Sequence, residues 1–367
     1  MEKGKTIESV IKNKLCIGCG TCISLCPNEA LELALDYEKG IYLPKLNKER
    51  CIECSICYEV CPGSRVNFDS LNTEIFGKKP NNVLIGNYLG CYTGYATNRK
   101  IRYNSASGGI VTQLLIFALE AEMIDGALVT KMRWNGSLKP EPFIARTKDE
   151  VVEASKSKYC PVPANLALRE ILEDDGKFAV VGLPCHIQGI RKAERINEKL
   201  RERIVLHLGL FCSHVPNFWA TDFLLQRMGV EKSEIVSLDY RGEGWPGFMT
   251  ILLKDGTTKM LPEPLCWDLL GLDLFTPRRC LMCSDGLNEL ADLSFGDAWL
   301  PEFSNDKLGT SLLIARSNTG ERLLENASSA GKIELNEISP DKVIQSQLDM
   351  LYFKKKNVNS RINLLRQ

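Results

Sequence analysis

The chain has 367 residues, with 46 Lys plus Arg against 46 Asp plus Glu, and 15 cysteines. A formal charge of zero gives no global attraction for nucleic acid, so no nucleic-acid partner is expected, and the length leaves room for two or three domains. The charged opening MEKGKTIESVIKNK lacks the apolar core of a signal peptide, and the longest apolar stretch, Ile110 to Ala121, is too short to span a bilayer. The reading is therefore a soluble, cytoplasmic protein with no transmembrane segment, whose only membrane contact would be peripheral.

Residues Lys5 to Ile11 read as a short lead-in strand or turn. Two copies of C-x2-C-x2-C-x3-C-P follow, CIGCGTCISLCP from Cys16 and CIECSICYEVCP from Cys51. This is the iron–sulfur run of two-cluster ferredoxins, in which the fourth cysteine ligates the other cluster. Three thiolates two residues apart wrap one face of a cubane, and the fourth, ahead of proline, reaches across. Cys16, Cys19, Cys22 and Cys61 are thus assigned to one [4Fe–4S] cluster, and Cys51, Cys54, Cys57 and Cys26 to a second. The alternatives are structural zinc or disulfides, and two full four-cysteine runs speak against both. The intervening EALELALDYEKGIYLP reads as a short helix, a turn at Lys39-Gly40 and a strand. Residues 1–69 form a small α+β ferredoxin-like domain on this reading. Asp69 to Asn82 is polar and carries Gly77 and Pro80. It reads as a linker, drawn over 70–88, or as a loop packed on the next domain.

At Asn104 to Thr112 the pattern changes to NSASGGIVT, running into QLLIFALEAEMID. Ser107, Gly108 and Gly109 open a helix with apolar residues at Ile110, Leu114, Leu115 and Ala118. Small residues at a helix N-terminus let backbone amides approach a phosphate, and they also make an ordinary cap. Gly126 to Trp134 reads as a strand, and Asp149 to Lys158 as a charged helix. Phe178 to Gly182 (FAVVG) is a short continuous apolar run, the mark of a buried parallel strand. It ends at Pro184 and Cys185. Ile204 to Cys212 repeats the pattern, so Cys185 and Cys212 both fall at the carboxyl ends of strands, where open α/β sheets hold ligands. Asp255-Gly256 between alternating runs signals a hairpin. The remainder alternates strand, helix, strand, helix, with a clean helix start at Ser339-Pro340-Asp341. The tail carries Lys354-Lys355-Lys356, a solvated helix face or a docking surface.

Seven cysteines lie outside the two runs. Cys280 and Cys283 have metal-ligand spacing, and with Cys185 and Cys212 they supply four thiolates for a third cubane or a zinc. Cys91 and Cys266 read as small buried hydrophobes. Cys160 stays open, beside Lys158 and Tyr159. His207 alternates with apolar residues in a strand and reads as core. His186 and His214 adjoin proposed ligands and read as capping, packing or ligand-supporting residues.

The motifs SxSGGxxT, GLPCHIQG, GLFCSHVP, YRGEGWPG and CxxCxDxxxxxADLSFGDAW, in this order, resemble the family of beta subunits of coenzyme F420 hydrogenases and dehydrogenases. That family includes the F420-oxidising subunit of archaeal F420 dehydrogenases and plant 7-hydroxymethyl chlorophyll a reductase. The resemblance covers roughly Gly90 to Ile338, and the module ahead of it matches longer members. It implies a flavoprotein that exchanges hydride with a deazaflavin and passes electrons through iron–sulfur clusters. Carried over, a [4Fe–4S] cluster near FAD falls on Cys185, Cys212, Cys280 and Cys283. Ser105, Ser107, Gly108, Gly109 and Thr112 would face the FAD, with Lys156, Lys158, Gly182 and Pro184 around the same pocket. Arg241, Trp245 and Gly247 would lie near the deazaflavin substrate. An α/β flavin domain with a mixed sheet is implied over 89–338, in parts 89–162 and 163–338, followed by a helical tail over 339–367.

Chemistry converges on the same reading. A deazaflavin or nicotinamide gives two electrons as hydride, a cubane takes one, and a flavin connects the two regimes. No G-x-G-x-x-G follows a predicted strand, so a Rossmann nicotinamide site is not expected. The phosphodiester and glutamate tail of coenzyme F420 ask for a basic cleft, which Arg99, Lys100 and Arg102, or Lys131 and Arg133, could supply. The expected activity is F420-dependent oxidoreduction through FAD and three 4Fe–4S clusters to a redox partner docking at the ferredoxin module. The alternatives are a reductase of another small substrate with ferredoxin as donor, and a non-catalytic electron-carrier subunit.

Overall fold

The structure is a computed structural model that describes residues 4–366. Three sheets are present among them, of two, three and eight strands. In the cysteine-rich region, β1 (Leu31–Asp36) and β2 (Ile41–Leu46) form an antiparallel hairpin. The expected short helix is thus a strand. Leu31, Leu33 and Leu35 alternate with Glu32, Ala34 and Asp36, a period of two that a helix would scatter around its circumference. The lead-in is also corrected. Glu8–Lys12 is helical, because Ile7, Val10 and Ile11 sit at helical spacing, and Ile7 and Val10 are buried.

The stretch read as linker or loop holds a helix, Phe68–Phe76, capped by the Asn67 side chain on the Ser70 amide and stopped at Gly77 in the left-handed region. Leu71 and Asn72 on it are buried, and Asn72 accepts a 3.0 Å hydrogen bond from Asn87. Polar composition hid the helix, since its asparagines act as cap and buried partner.

The large sheet comprises β3 (Gly90–Ala96), β4 (Gly126–Trp134), β5 (Leu138–Ala145), β6 (Phe178–Gly182), β7 (Ile204–Leu210), β11 (Leu293–Asp297), β12 (Ser311–Ala315) and β13 (Ile333–Glu337). Its order is β13-β3-β12-β11-β7-β6-β4-β5. The run β11-β7-β6-β4 is parallel, while β5, β12 and β13 pair antiparallel, giving the expected mixed sheet. β5 escaped the sequence reading because it carries Pro140 and Pro142, which an edge strand tolerates. A separate three-stranded sheet, β8 (Ile235–Asp239), β9 (Phe248–Leu253) and β10 (Thr258–Pro262), turns between the last two at Asp255-Gly256 as read.

One face of the large sheet buries Ala179, Leu206, Leu208 and Leu293 against the helix Ile110–Glu120. On the other face, Phe178 and Val180 pack with Ile187 and Ile190 of the helix Pro184–Glu194, in one continuous core with Leu25, Val60, Cys61 and Leu71. The cysteine-rich module is therefore a layer on the sheet. Polar contacts fasten it: Ser24 donates to the Asn165 carbonyl at 2.8 Å, the Asn165 amide donates to the Cys19 carbonyl at 2.9 Å, and Lys192 donates to the Cys61 carbonyl at 2.5 Å. Gly20 and Gly189 face this seam, and a Cβ on either would lie 2.8 and 2.5 Å from Leu166 and Thr21 respectively.

The tail runs through Pro340–Ser346, Leu348–Leu351, a π-helical turn Tyr352–Lys356 and Val358–Arg366. Its lysine run is not a solvated face. Lys354 is 1 % exposed, Lys355 pairs with buried Glu289, and only Lys356 lies out over the Tyr352 ring, at 4.2 Å. No helix among the described residues is long and apolar enough to cross a membrane.

Candidate redox site

Cys16, Cys19, Cys22 and Cys61 line one small enclosed cavity with Ile7, Leu33 and Pro44. These are the four cysteines that the crossed ligation pattern groups together. The tight loops that bring them there need left-handed backbone at Gly18 and Gly20, and a Cβ on Gly18 would strike the Tyr42 carbonyl at 2.6 Å. The same loops aim amides at sulfur: Gly18 at Cys16 (3.4 Å) and Gly63 at Cys61 (3.3 Å). In the second quartet Glu53 donates to Cys51 (3.5 Å) and Ala30 to Cys26 (3.2 Å). Such bonds suit sulfurs that carry negative charge. Burial pushes the Cys61 thiol up to about 11 and holds Cys16 higher still. A cation bound to such a thiol would displace its proton to solvent and hold the thiolate, which is the chemistry of an iron ligand. The first quartet, gathered around one cavity, fits a [4Fe–4S] cluster.

The third set also comes together. Cys185 sits in the first turn of Pro184–Glu194, directly after β6, and Cys212 lies two residues past the end of the adjacent parallel strand β7. Cys280 belongs to a short helix, Arg278–Leu281, and Cys283 follows it. Burial holds the Cys185 thiol well above its usual range, reinforced by its neighbours Cys212, Cys280, Cys19 and Cys283. Cys19 among those neighbours puts the third set next to the first quartet. Asn288 ties the two strand ends together, donating to the Gly182 carbonyl at 2.8 Å and the Leu210 carbonyl at 3.3 Å. Gln188 donates to Asp285 at 3.0 Å, joining the Cys185 helix to the loop that carries Cys283.

Further along the same carboxyl edge lies the Ser-Gly-Gly turn. Gly109, at φ +77°, is the N-cap of Ile110–Glu120, and no side chain caps that helix. Its first amides carry no side-chain cap, a setting that fits a phosphate such as those of FAD. Gly108 touches backbone on both sides, since a Cβ there would lie 2.6 Å from the Gly94 carbonyl and 2.7 Å from the Ser311 amide. Ser107 donates to the Thr310 carbonyl at 3.1 Å, buried Ser105 donates to the Ile101 carbonyl at 2.7 Å, and Thr112 is half-buried in the first helical turn. β7 and β3 are three strand spacings apart, about 14 Å at about 4.8 Å each.

The loop Arg241–Gly247 closes over this turn. The Gly244 amide donates to the Tyr103 carbonyl, and Trp245 to the Lys307 carbonyl, both at 2.9 Å. Gly247, at φ +86°, leaves no room for a side chain beside the Gly242 carbonyl. Arg241 is buried, and its guanidinium donates to the Ala106 carbonyl, to Tyr159 (3.1 Å), to Glu263 (3.3 Å) and to Asp297 (3.3 Å). Trp245 donates to Asp297 at 2.7 Å and stacks on half-exposed Trp299, ring centroids 4.7 Å apart. Burial, partly opposed by Arg241, pushes the Glu263 carboxyl up to about 7. Lys156 pairs with Asp239 at 2.6 Å and lies against Gly242. Lys158 donates to the Ala154, Ser155 and Lys156 carbonyls, and burial lowers it to about 7. The structure thus gathers Ser107 to Gly109, Lys156, Lys158, Arg241, Trp245 and Gly247 in one place. Gly182 and Pro184 belong instead to the Cys185 corner. Among the basic candidates, Arg102 pairs with Asp306 (3.0 Å), Lys131 with Glu153 (3.6 Å) and Arg133 with Glu141 (2.9 Å).

His186 is a cap: its Nδ1 accepts from the Leu183 amide and burial lowers it to about 4, so it is neutral. His207 is core, but charged core. It lies between Glu194 (2.6 Å) and Asp292 (3.0 Å) with Arg191 alongside, a network its apolar flanks did not announce. Cys91, Cys160 and Cys266 are buried, and burial pushes the Cys160 thiol up to about 12. Sequence reasoning missed Asn288, Asn165 and Lys192, and took Lys354 only as part of an outward-facing lysine run. Asn288 lies inside the quoted CxxCxDxxxxxADLSFGDAW stretch; Asn165 and Lys192 carry no local signal.

Three family models match the chain. "Coenzyme F420 hydrogenase/dehydrogenase, beta subunit N-term" matches residues 91–169, its carboxyl-terminal counterpart for the same beta subunit matches 175–341, and "4Fe-4S dicluster domain" matches 9–67. The chain is 31% identical over 283 residues to the coenzyme F420 hydrogenase subunit beta of Methanothermobacter thermautotrophicus, covering 75% of this chain and 93% of that one. It is 24% identical over 323 residues to the F subunit of the F(420)H(2) dehydrogenase of Methanosarcina mazei, covering 87% and 84%. Its fold is similar to a chain of the xenon-derivatised F420-reducing [NiFe] hydrogenase complex from Methanosarcina barkeri, with a TM-score of 0.58 at 21% identity over 77% of this chain and 93% of that chain.

Proposed function

The chain belongs to the family of coenzyme F420 hydrogenase/dehydrogenase beta subunits and carries a 4Fe–4S dicluster domain, and from that premise we propose a specific activity. The protein exchanges hydride between reduced coenzyme F420 and FAD, and passes single electrons through three 4Fe–4S clusters to a protein acceptor. A bound flavin supplies the change from two-electron to one-electron transfer. The observation that carries the reading is the placement of the third cysteine set. It shares the carboxyl edge of the sheet with the uncapped helix at Gly109, and it adjoins the first cluster at Cys19.

The residues divide the work. The turn at Ser107 to Gly109 offers amides to the flavin phosphates. The loop Arg241–Gly247, pinned by Arg241 and roofed by Trp245 and Trp299, walls the place where the deazaflavin would stack. Arg241 is committed to protein partners, so its part is to shape that wall. The second quartet is the exit. Cys51 and Cys54 are half-buried, whereas Cys16, Cys19, Cys22 and Cys61 are buried, and a partner docking at the module meets the less buried pair first. That a relative is named as a hydrogenase subunit supports such a partner.

The test is an anaerobic preparation analysed for metal, sulfide and flavin, then mixed with reduced coenzyme F420 and separately with NADH. About twelve irons, three cubanes of four, one FAD per chain and bleaching by the deazaflavin alone are expected. A flavin-free protein, or one bleached by NADH and indifferent to reduced coenzyme F420, refutes the assignment.

A further inference from the structure

Lys354 is the most deeply buried of the lysines in the tail, at 1 % exposed. It lies beyond residue 341, where the family model ends. The turn Tyr352–Lys356 carries it inward, and its neighbours hold it there. Arg361 stacks on Phe353 at 3.8 Å and donates to the Leu281 carbonyl at 2.9 Å, fastening the last helix across the segment that bears Cys280 and Cys283. Gly286 clears the path of the lysine stem, since a Cβ there would lie 3.2 Å from Lys354 Cγ and 3.1 Å from Met350 Sδ.

The ammonium donates to the Cys280 carbonyl at 3.4 Å, and Cys283 and Cys212 are its neighbours there. No carboxylate pairs with Lys354 among the described residues, whereas its neighbour Lys355 has Glu289. A buried ammonium with no anion is costly enough that proteins pair or neutralise it. Four cysteinates around a cubane would be that anion.

We propose that Lys354 is the counter-ion of the inner cluster and sets its potential. This rests on the reading of Cys185, Cys212, Cys280 and Cys283 as a cluster site. A fixed positive charge stabilises the reduced, more negative cluster, so it raises the potential and makes the cluster a ready acceptor of electrons arriving from the sheet edge. The tail thereby acts on the wire from outside the part of the chain that defines the family.

The test uses the full-length anaerobic protein with Lys354→Met and Lys354→Arg. Redox titration followed by paramagnetic resonance reads the three clusters separately. In Lys354→Met the inner cluster should become at least tenfold harder to reduce, a fall of about 59 mV or more for one electron, with the two ferredoxin clusters unmoved and Lys354→Arg close to wild type. Loss of about four irons in Lys354→Met but not in Lys354→Arg also supports the charge. An unchanged inner potential in Lys354→Met overturns the proposal, as does equal loss of iron in both variants, which would make the role one of packing. Wild-type protein holding about eight irons, two cubanes of four, would instead sink the cluster reading beneath it.

Discussion

Arg241→Met removes the guanidinium that Glu263 and Asp297 share, while keeping most of the buried stem. Its cost should depend on pH through Glu263. Burial already lifts that carboxyl from 4.5 to about 7 with Arg241 opposing. A carboxyl raised on folding holds a proton that the unfolded chain has released, so wild-type stability falls as pH rises from about 4.5 towards 7, by about 3 kcal/mol in all. Without Arg241 the carboxyl moves further up. At pH 6 Glu263 is mostly neutral, and the variant loses chiefly the charge-assisted hydrogen bonds to Asp297, Tyr159 and Ala106, about 1.5–3 kcal/mol. At pH 8 the variant must either keep an unpaired buried carboxylate or take up a proton against the pH, and the loss rises to about 3–5 kcal/mol. A chain of 367 residues has an unfolding entropy of about 0.8 kcal/mol/K. The midpoint should then drop by about 2–4 °C at pH 6 and about 4–6 °C at pH 8. Anaerobic differential scanning calorimetry at one fixed scan rate reads both. Equal drops at the two pH values, or none at either, would mean that Glu263 and Arg241 are not coupled as described.

Four further outcomes follow from the geometry. Gly109→Val places a β-branched residue at φ +77° with its Cβ 3.1 Å from Arg102 Cα, at a backbone cost of about 1–2 kcal/mol or more; purified protein should keep its iron and lose most of its flavin, and undiminished flavin would move the phosphates elsewhere. Cys283→Ser should allow flavin reduction by the donor but leave the outer clusters oxidised in stopped-flow and freeze-quench experiments, and wild-type rates of outer-cluster reduction would take the third set out of the path. Cys51→Ser should leave flavin bleaching intact and abolish transfer to an external acceptor; retained transfer shows that the exit lies elsewhere. His207 is held above its usual value because Glu194 and Asp292 outweigh burial and Arg191, so its stabilisation is complete below about pH 6.5 and is lost as pH rises through the raised value. His207→Gln should therefore cost most stability below about pH 6.5 and progressively less as pH rises above it, and a pH-independent difference in urea titrations would contradict this.

The cysteine spacings made the dicluster domain legible, because thiolates two residues apart fall on one short loop. FAVVG and its partner strand were legible because buried parallel strands are continuously apolar, and the pairing of β6 with β7 brought Cys185 and Cys212 together as read. What could not be read was whatever depends on distant partners. Leu31–Asp36 took its strand from pairing with Ile41–Leu46. Phe68–Phe76 looked like a linker because asparagine is a loop residue until Asn87 meets Asn72. Arg241 could be placed near the substrate by resemblance, but only the folded chain shows its guanidinium spent on Glu263, Asp297, Tyr159 and Ala106. Lys354 was the least legible, since a run of three lysines gives no hint that one of them points inward.

The seam between the cysteine-rich layer and the sheet, with Leu25, Val60 and Leu71 in the same core as Phe178 and Ile187, has a kinetic consequence. A carrier domain on a tether moves its charge by swinging, so its turnover slows in glycerol and changes with salt. Here Asn165 and Lys192 clamp the layer in place, so on the proposed path charge would cross a fixed joint. The internal hop should be indifferent to solvent viscosity and ionic strength. All sensitivity to either should fall on the encounter with the outside acceptor, so plotting turnover against viscosity separates what the chain does within itself from what it does with others.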